Sequence, residues 1–208
     1  MTSPPQEATM LISIDGIDGC GKSTQVSMLT EALGARQIQE ISPSRWGKTL
    51  RAMSAPTLAQ QLAYFTADRA VLAETLESAA GSETVHIVSD RSYLSGVAYQ
   101  SYNSPLSPAF VEELNLALVP TYDLQLVLHV PVEVAMARIE KRGEKKTWCE
   151  NTGLLTWATG VFEQWAATRD QITLVDATRD IDGVFAQVIE AAKVASMSRF
   201  GRVVFPTV

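Results

Sequence analysis

The segment from Gly16 to Thr24 constrains the fold of this chain most strongly, since it reads Gly-Ile-Asp-Gly-Cys-Gly-Lys-Ser-Thr. The glycines ahead of Lys22 and Ser23 match G-x-x-x-x-G-K-[ST], a loop whose backbone amides cradle phosphate oxygens. An apolar run at residues 10–14 precedes the loop, and a stretch with helical periodicity at residues 25–33 follows it. This order of strand, loop and helix predicts a nucleotide-phosphate site, whereas a glycine turn that binds nothing would have no use for Lys-Ser.

Each residue type in the loop has a chemical reason. Glycines let the backbone curl so that its N–H groups point inward, and the helix that follows adds its positive amino end. Lys22 supplies a mobile charge to the β- and γ-phosphates, and the Ser23 hydroxyl is a candidate ligand for Mg²⁺. The predicted nucleotide-binding set is Gly16, Asp18, Gly19, Cys20, Gly21, Lys22, Ser23 and Thr24.

Bulk composition narrows the class of protein. A length of 208 residues fits a single domain over residues 1–208, with a flexible tail at 1–9 and an extension at 196–208. A formal net charge of −6 argues against a bulk nucleic-acid binder. The longest apolar run, residues 124–130, is too short to cross a bilayer, so no membrane association is expected. The two cysteines are interpreted as reduced thiols, which predicts a cytoplasmic protein.

Apolar strand-like segments alternate with helical ones along the whole chain, which predicts an α/β fold with a parallel sheet covered on both faces. Strands are predicted at residues 10–15, 37–41, 85–89, 124–130 and 172–176. Helices are predicted at residues 22–33, 49–53, 57–80, 94–102, 109–118, 132–141, 154–167 and 181–195. Residues 199–205 are expected to form either an extra strand or a packing arm. The expected architecture is a P-loop NTPase sandwich of three αβα layers with a five-stranded parallel sheet and a short lid.

Asp90 and Arg91 follow a predicted strand directly, so they should lie beside the phosphate loop at the carboxyl edge of the sheet. Asp90 is predicted to hold Mg²⁺, the alternative being a cap on the next helix. Arg91 adds a bidentate phosphate donor. No N-K-x-D motif for guanine is present, and a motor ATPase would be longer, so a small-molecule kinase fits best.

Further segments carry a family resemblance. Residues 64–69, Tyr-Phe-Thr-Ala-Asp-Arg, resemble a base-binding F-x-x-D-R helix, and residues 90–100 resemble a D-R-Y…S-x-A-Y-Q segment. Residues 130–143 resemble a helix that enters a lid, and residues 175–178 a last strand and the loop near adenine. In this order, from Leu11 to Val184, the chain resembles the thymidylate kinases, which phosphorylate dTMP with ATP and Mg²⁺.

The resemblance implies a role for each matched residue. Phe65 would stack on the acceptor base, Arg69 would donate to a base carbonyl, and Tyr99 would pack under the sugar. Asp18 would lie near the sugar 3′-hydroxyl, and Arg91 would hold the acceptor phosphate. For Phe65 and Tyr99 the alternative is a place in the core, and Arg69 could instead pair with Asp68 or Glu74 on the helix surface.

The remaining implied residues belong to the catalytic group and to the acceptor site. The catalytic set is Lys22, Arg91, Asp18 and Arg142, with Lys145 and Lys146 as further lid cations. The alternative for the basic cluster of Arg142, Lys145 and Lys146 is a solvated helix end. The predicted acceptor contacts are Asp18, Pro43, Arg45, Trp46, Phe65, Arg69, Arg91, Ser95, Gly96 and Tyr99. A homodimer is also implied by the family.

Two departures from the family pattern bear on the substrate. Pro43 matches the end of the family's second strand, but the preceding Arg is absent, which leaves Arg45 or Trp46 as its replacement. Gly96 stands where the family often has Ser or Asn, so a side-chain donor is missing near the base. The predicted activity is phosphorylation of dTMP. The alternatives are a kinase for dUMP or a modified deoxynucleotide, and a nucleotide-binding module without catalysis.

Overall fold

The computed structural model describes residues 9–82, 85–119, 121–143 and 147–205. Its strands are β1 (Leu11–Gly16), β2 (Arg36–Gln39), β3 (Ile87–Asp90), β4 (Leu124–His129) and β5 (Ile172–Asp176). They form one parallel sheet in the order β2-β3-β1-β4-β5. The helices of the described residues are α1 (Lys22–Leu33), α2 (Arg45–Ala52), α3 (Leu58–Ser82), α4 (Tyr93–Gln100), α5 (Pro108–Leu116), α6 (Val132–Arg142), α7 (Thr152–Ala166) and α8 (Ile181–Phe200). The predicted α/β class with five parallel strands is confirmed.

Strand β1 lies at the centre of the sheet, and its register decides which residues meet. Ile14 pairs with Asp90 on β3, and Gly16 pairs with Leu128 on β4. Because all strands run the same way, their carboxyl ends share one edge. The loop after β1 and the residues after β3 therefore lie side by side.

The core is continuous on both faces of β1, as expected for a parallel sheet between helical layers. Ile12 and Ile14 are fully buried, and so are Val26 and Leu29 of α1. Burial of such a side chain is worth about 1.5–3 kcal/mol, so this packing holds the phosphate loop on a rigid base.

Helix α2 begins at Arg45, four residues before the predicted start, and β2 ends at Gln39 instead of residue 41. The early start has a local cause. The Ser44 hydroxyl accepts hydrogen bonds from the backbone N–H groups of Trp46 and Gly47 and so caps the helix.

The last helix continues to Phe200, five residues beyond the predicted end. Beyond it, the described residues 201–205 form no strand. Phe205 is buried and packs edge-on against the His86 ring, with the ring centroids 6.0 Å apart. The Ser196 hydroxyl donates to the Arg202 carbonyl and accepts from the Val204 N–H. The segment is therefore a packing arm at the amino end of β3, away from the phosphate loop.

Among the described helices, none combines the length and the apolar composition that crossing a membrane would require.

Candidate active site

The phosphate loop joins β1 to α1 with the backbone shape that anion binding requires. Gly19 and Gly21 adopt left-handed φ angles of 83° and 99°, which other residues rarely tolerate. Within the described residues no side chain caps the amino end of α1. Its first N–H groups and its helix dipole are therefore available to a phosphate.

Lys22 points into this loop. Its Nζ donates to the Ile17 carbonyl at 2.8 Å and to the Gly16 carbonyl at 3.1 Å. It also lies 3.7 Å from the Cys20 Sγ and 3.9 Å from the Asp18 carboxylate. The ammonium group thus occupies the centre of the loop, where it satisfies the carbonyls that the loop turns inward.

Ser23 and Asp90 lie beside each other, as the sequence predicted. The Ser23 hydroxyl donates to Oδ2 of Asp90 at 3.3 Å. A hydroxyl and a carboxylate are the hard oxygen donors that Mg²⁺ prefers, so these two residues fit that ion. No cluster of three or more His, Cys, Asp or Glu side chains suited to a metal occurs in the described ranges. A cation here would therefore share its ligands with nucleotide phosphates, which is usual for Mg²⁺.

Asp18 and Arg91 form an ion pair across the two loops, between Oδ1 of Asp18 and Nη2 of Arg91. Nη1 of Arg91 donates to the Gly16 carbonyl at 3.2 Å. The Tyr99 hydroxyl accepts from the Asp18 N–H at 3.2 Å and lies 3.4 Å from Oδ2 of Asp18. Three residues that the sequence assigned to the acceptor sugar and phosphate are thus in contact.

This pairing shifts the titration of all three groups. Burial alone would raise the pKa of Asp18, but the charges of Arg91 and Lys22 outweigh it and hold the pKa below its ordinary value. Burial opposes the charge on Arg91, yet Asp18 raises its pKa above the ordinary value. Burial and the Asp18 carboxylate raise the pKa of Tyr99 well above its ordinary value. At neutral pH the ion pair is charged and the phenol keeps its proton.

A cavity of about 400 Å³ joins the loop to the other predicted catalytic residues. Its walls include Lys22, Ser23, Thr24, Asp90, Arg91 and Arg142. Arg138 lines it too, and its guanidinium donates to the carbonyls of Cys20 and Ala177. Arg138 received no role from the sequence, although it stands one helical turn before Arg142 and therefore on the same face of α6. That spacing is the signal that could have identified it.

Arg69 lies elsewhere than the sequence predicted. It is 1% exposed, and its Nε and Nη2 both donate to Oε2 of Glu40 at 3.0 Å. Its Nη1 donates to the amide oxygen of Asn115. The guanidinium therefore links α3 to the end of β2 and to α5, and it is not paired with Asp68 or Glu74. Contact with a base would require Arg69 to leave this buried ion pair.

Gly96 makes the buried position of Arg69 possible. A Cβ atom on residue 96 would overlap the Arg69 guanidinium. The space that a side chain at residue 96 would fill is thus occupied by Nη2 of Arg69. Phe65 is half-buried on α3, with its ring centroid 5.2 Å from Cζ of Arg69. Ser95 is 6% exposed, and its hydroxyl is engaged by Asp15 and Arg91.

Asp68 fixes the segment between β2 and α2. It is 1% exposed, and it accepts from the backbone N–H of Ser42 at 2.7 Å and from the hydroxyls of Ser42 and Ser44. The Arg45 guanidinium lies over the Trp46 ring, 4.3 Å from its centroid. Neither residue lines the cavity of Lys22 and Arg91. Pro43 lies in a separate groove beside β2 and α3, so these three predicted acceptor contacts are not brought to the cavity.

A second cavity, of about 300 Å³, lies on another side of Tyr99. It is lined by Tyr99, Tyr102 and Trp148, and by two amides of residues 61 and 100. Within the described residues, Nε2 of Gln100 and Oε1 of Gln61 are buried without a hydrogen-bond partner. Nε2 of Gln61 donates to the Pro56 carbonyl at 3.0 Å, which fixes its oxygen as an acceptor. The sequence assigned no role to either glutamine, because it does not reveal that these amide atoms are buried.

The lid side of the site is held by Glu150, which is 5% exposed. Its Oε1 accepts from Arg142 at 2.6 Å, and its Oε2 accepts from the Thr147 N–H at 2.7 Å. Cys149 lies 3.6 Å from Oδ2 of Asp18, and burial raises the pKa of its thiol to about 11, with Asp18 adding to the shift. The predicted cations Lys145 and Lys146 lie outside the described residues.

Comparison with known proteins gives consistent matches. A family model described as thymidylate kinase matches residues 14–188. A thymidylate kinase of Fervidobacterium nodosum is 30% identical over 193 residues, covering 87% of this chain and 97% of that protein. One from Xanthomonas oryzae pv. oryzae is 32% identical over 196 residues, covering 90% and 84%.

Solved structures with the same fold include a thymidylate kinase from Candida albicans, described as having broad substrate specificity. It has a TM-score of 0.74 at 22% identity and covers 89% of this chain and 92% of its own. The enzyme from Ehrlichia chaffeensis has a TM-score of 0.68 at 19% identity, covering 88% and 98%.

Proposed function

Because this chain belongs to the thymidylate kinase family, we propose that it transfers the γ-phosphoryl group of ATP to dTMP, giving dTDP and ADP. The observation that carries the proposal is the shared cavity of Lys22 and Arg91. Phosphoryl transfer needs little covalent help from the protein, but it needs cations that hold both phosphates in line. A phosphate-loop lysine and the arginine that follows β3, both on one cavity, supply such cations.

On the donor side, the amino end of α1 and the loop amides receive the ATP phosphates. Lys22 then exchanges the carbonyls of Gly16 and Ile17 for phosphate oxygens, which are better acceptors because they are charged. Arg142 contributes charge from the lid side while Glu150 fixes its direction.

On the acceptor side, dTMP is proposed to bind at the ion pair of Asp18 and Arg91, which supplies a cation for its phosphate. A phosphate takes the place of the Asp18 carboxylate at Arg91, since both are anions that fit a guanidinium fork. Asp18 is then released to accept from the sugar 3′-hydroxyl. Its lowered pKa keeps it ionised for that role.

The base-reading edge is assigned to the two glutamines. Both glutamines line one cavity, and among the described residues Nε2 of Gln100 and Oε1 of Gln61 are buried without a hydrogen-bond partner. A thymine presents carbonyl oxygens next to an N3–H donor, which is the complementary set. Buried amides left unpaired are costly, so a ligand that satisfies both is strongly favoured.

Ser23 and Asp90 would hold Mg²⁺ together with the nucleotide phosphates. When bound, the ion neutralises charge on the transferred group and orients the phosphates. Asp90 also accepts the Ser23 hydroxyl, and this contact keeps the two oxygen donors on one side of the loop. A homodimer remains a prediction from the family, and a cytoplasmic location remains a prediction from the two cysteines.

The test is an acceptor screen that measures ADP release by the purified chain with ATP and Mg²⁺. The acceptors are dTMP, dUMP, dCMP, dAMP, dGMP and 5-hydroxymethyl-dUMP, and Lys22→Met is the control for contaminating kinases. We expect dTMP to have the highest kcat/KM, about tenfold or more above dCMP. If another nucleotide had the highest kcat/KM, the proposal that dTMP is the acceptor would be wrong. ATP binding without turnover of any acceptor would refute the proposed activity.

A further inference from the structure

Asp15, the fifth residue of β1, is a fully buried carboxylate with an unusual number of donors. It is 0% exposed. Its Oδ1 accepts from the N–H of Ser92 at 2.9 Å and from the Oγ and N–H of Ser95 at 2.7 and 3.2 Å. Its Oδ2 accepts from the hydroxyls of Ser13 at 2.9 Å and Ser92 at 2.7 Å. A buried carboxyl group with five hydrogen bonds is costly to assemble, which calls for a specific reason.

Arg91 directly precedes Ser92 in the chain, and its backbone is constrained. Its φ angle is 75°, in the left-handed region that a non-glycine residue adopts at a cost. Its N–H donates to the Ile14 carbonyl at 3.0 Å, and its carbonyl accepts from the Ser89 hydroxyl at 2.6 Å. Asp15 holds the next residue, Ser92, through both its N–H and its hydroxyl.

A continuous chain of hydrogen bonds also runs from Asp15 to the guanidinium. The Ser95 hydroxyl donates a hydrogen bond to Asp15. The same oxygen accepts from Nη1 of Arg91 at 3.3 Å, so the Ser95 hydroxyl bridges Asp15 and Arg91. Because the Ser95 O–H points at Asp15, the lone pairs of the Ser95 oxygen are directed toward Arg91.

We propose that Asp15 is a positioning residue for the reaction, one that sets the place of Arg91 through Ser92 and Ser95. It cannot contact a ligand itself, since it is fully buried. This inference rests on the proposed function, in which Arg91 binds the acceptor phosphate. It also changes the role of Ser95 from a predicted acceptor contact to a link between Asp15 and Arg91.

The test compares two serine variants that each remove one hydroxyl from Asp15. Ser95→Ala breaks the link to Arg91, whereas Ser13→Ala leaves it intact, because Ser13 bonds Asp15 from within β1. We expect Ser95→Ala to raise the KM for dTMP about tenfold with the KM for ATP unchanged, and Ser13→Ala to change neither. Asp15→Asn should raise the dTMP KM at least as much as Ser95→Ala. The variant that combines Asp15→Asn with Ser95→Ala should have a KM for dTMP no higher than that of Asp15→Asn alone.

Crystal structures of the same variants give a readout that does not depend on the substrate. We expect Arg91 to leave the Gly16 carbonyl in Ser95→Ala but not in Ser13→Ala. If the wild-type chain phosphorylates no nucleotide, the proposed function fails while this structural comparison still decides the inference. Unchanged dTMP kinetics together with an unmoved Arg91 in both Ser95→Ala and Asp15→Asn would overturn it. If Asp15→Asn does not fold, Ser95→Ala against Ser13→Ala decides alone.

Discussion

The Arg69 guanidinium packs directly against Gly96, and a Cβ atom on residue 96 would overlap it. The guanidinium in turn cannot retreat easily, because it is held by Glu40 and Asn115. Burial raises the pKa of the Glu40 carboxyl, while Arg69 opposes this shift. The residue at position 96 of α4 is thus constrained by the ion pair of Arg69 and Glu40 that packs against it.

Gly96→Ser should therefore destabilise the fold. Overpacking against a fixed, charged neighbour costs about 1–3 kcal/mol in the free energy of unfolding. Urea unfolding followed by circular dichroism measures it. The matched control is Gly160→Ala in α7, where a Cβ atom would meet no heavy atom within 4 Å. That change should stabilise by about 0.5–1 kcal/mol, as usual for glycine in a helix. Equal effects at the two sites would contradict the coupling.

Arg91→Ala should lower kcat/KM for dTMP about 10³-fold while ATP still binds, because the loop that receives ATP does not depend on this side chain. Steady-state kinetics and calorimetric titration with ATP check the two parts. Arg91→Lys should recover little activity, since lysine lacks the guanidinium fork. Arg36→Ala, at an exposed site on the edge strand β2, is the control and should be active. Full turnover by Arg91→Ala would refute the role assigned to Arg91.

Cys149 should react slowly with iodoacetamide, because the thiolate is the reactive form and the pKa of this thiol is about 11. At about pH 8 the rate should be about a hundredth of that of a free thiol, and it should rise steadily up to about pH 11. Mass spectrometry after timed quenching gives the rate. Cys149→Ser serves as control, since its remaining Cys20 is 2% exposed. Fast labelling of Cys149 at neutral pH would contradict its place over Asp18.

The ion pair of Asp18 should stabilise the fold in a pH-dependent way. The folded pKa of Asp18 lies below the ordinary value of 3.8, so its contribution is present above that value. It is lost as the pH falls through the folded pKa, because protonation then favours the unfolded chain. Asp18→Asn should therefore be less stable than wild type at about pH 7, and the gap should narrow below about pH 4. Urea unfolding across this range measures the gap, and a gap that widens on acidification would contradict the pairing.

Phe205→Ala should cost about 3–5 kcal/mol of stability without changing the KM for either substrate, since Phe205 is buried at the amino end of β3. Phe110→Ala is the control, because Phe110 is 52% exposed and its removal should cost little. Denaturant unfolding and kinetics on the same samples separate stability from activity. If Phe205→Ala lost activity at a temperature at which it remains folded, the arm would have to influence the site.

The sheet and its edge could be predicted because they depend on local patterns. β5 has the predicted bounds, and the pairing of Ser23 with Asp90 follows from two strands that end at one edge. Such contacts require only that apolar segments form parallel strands. The loop glycines carry the same kind of local information, since their positive φ angles suit glycine.

The acceptor site could not be predicted to the same depth, because its contacts link distant segments. Asp68 decides where α2 begins through Ser42 and Ser44, which lie 26 and 24 residues away. Arg69 finds Glu40 and Asn115 in two other elements. A motif that matches a family identifies these residues, but their partners depend on side chains outside the motif.

The contact of Asp18 with Arg91 has a consequence for competition among anions in a cell. A simple anion such as inorganic phosphate must displace Asp18 from Arg91, which deprives that carboxylate of its guanidinium partner while the Tyr99 hydroxyl and the Cys149 thiol stay near it. In the proposed function, a nucleotide brings a phosphate for Arg91 and a hydroxyl for Asp18 at once, and so satisfies both groups it separates. We therefore expect the site to favour a ligand that carries both chemical groups over free phosphate.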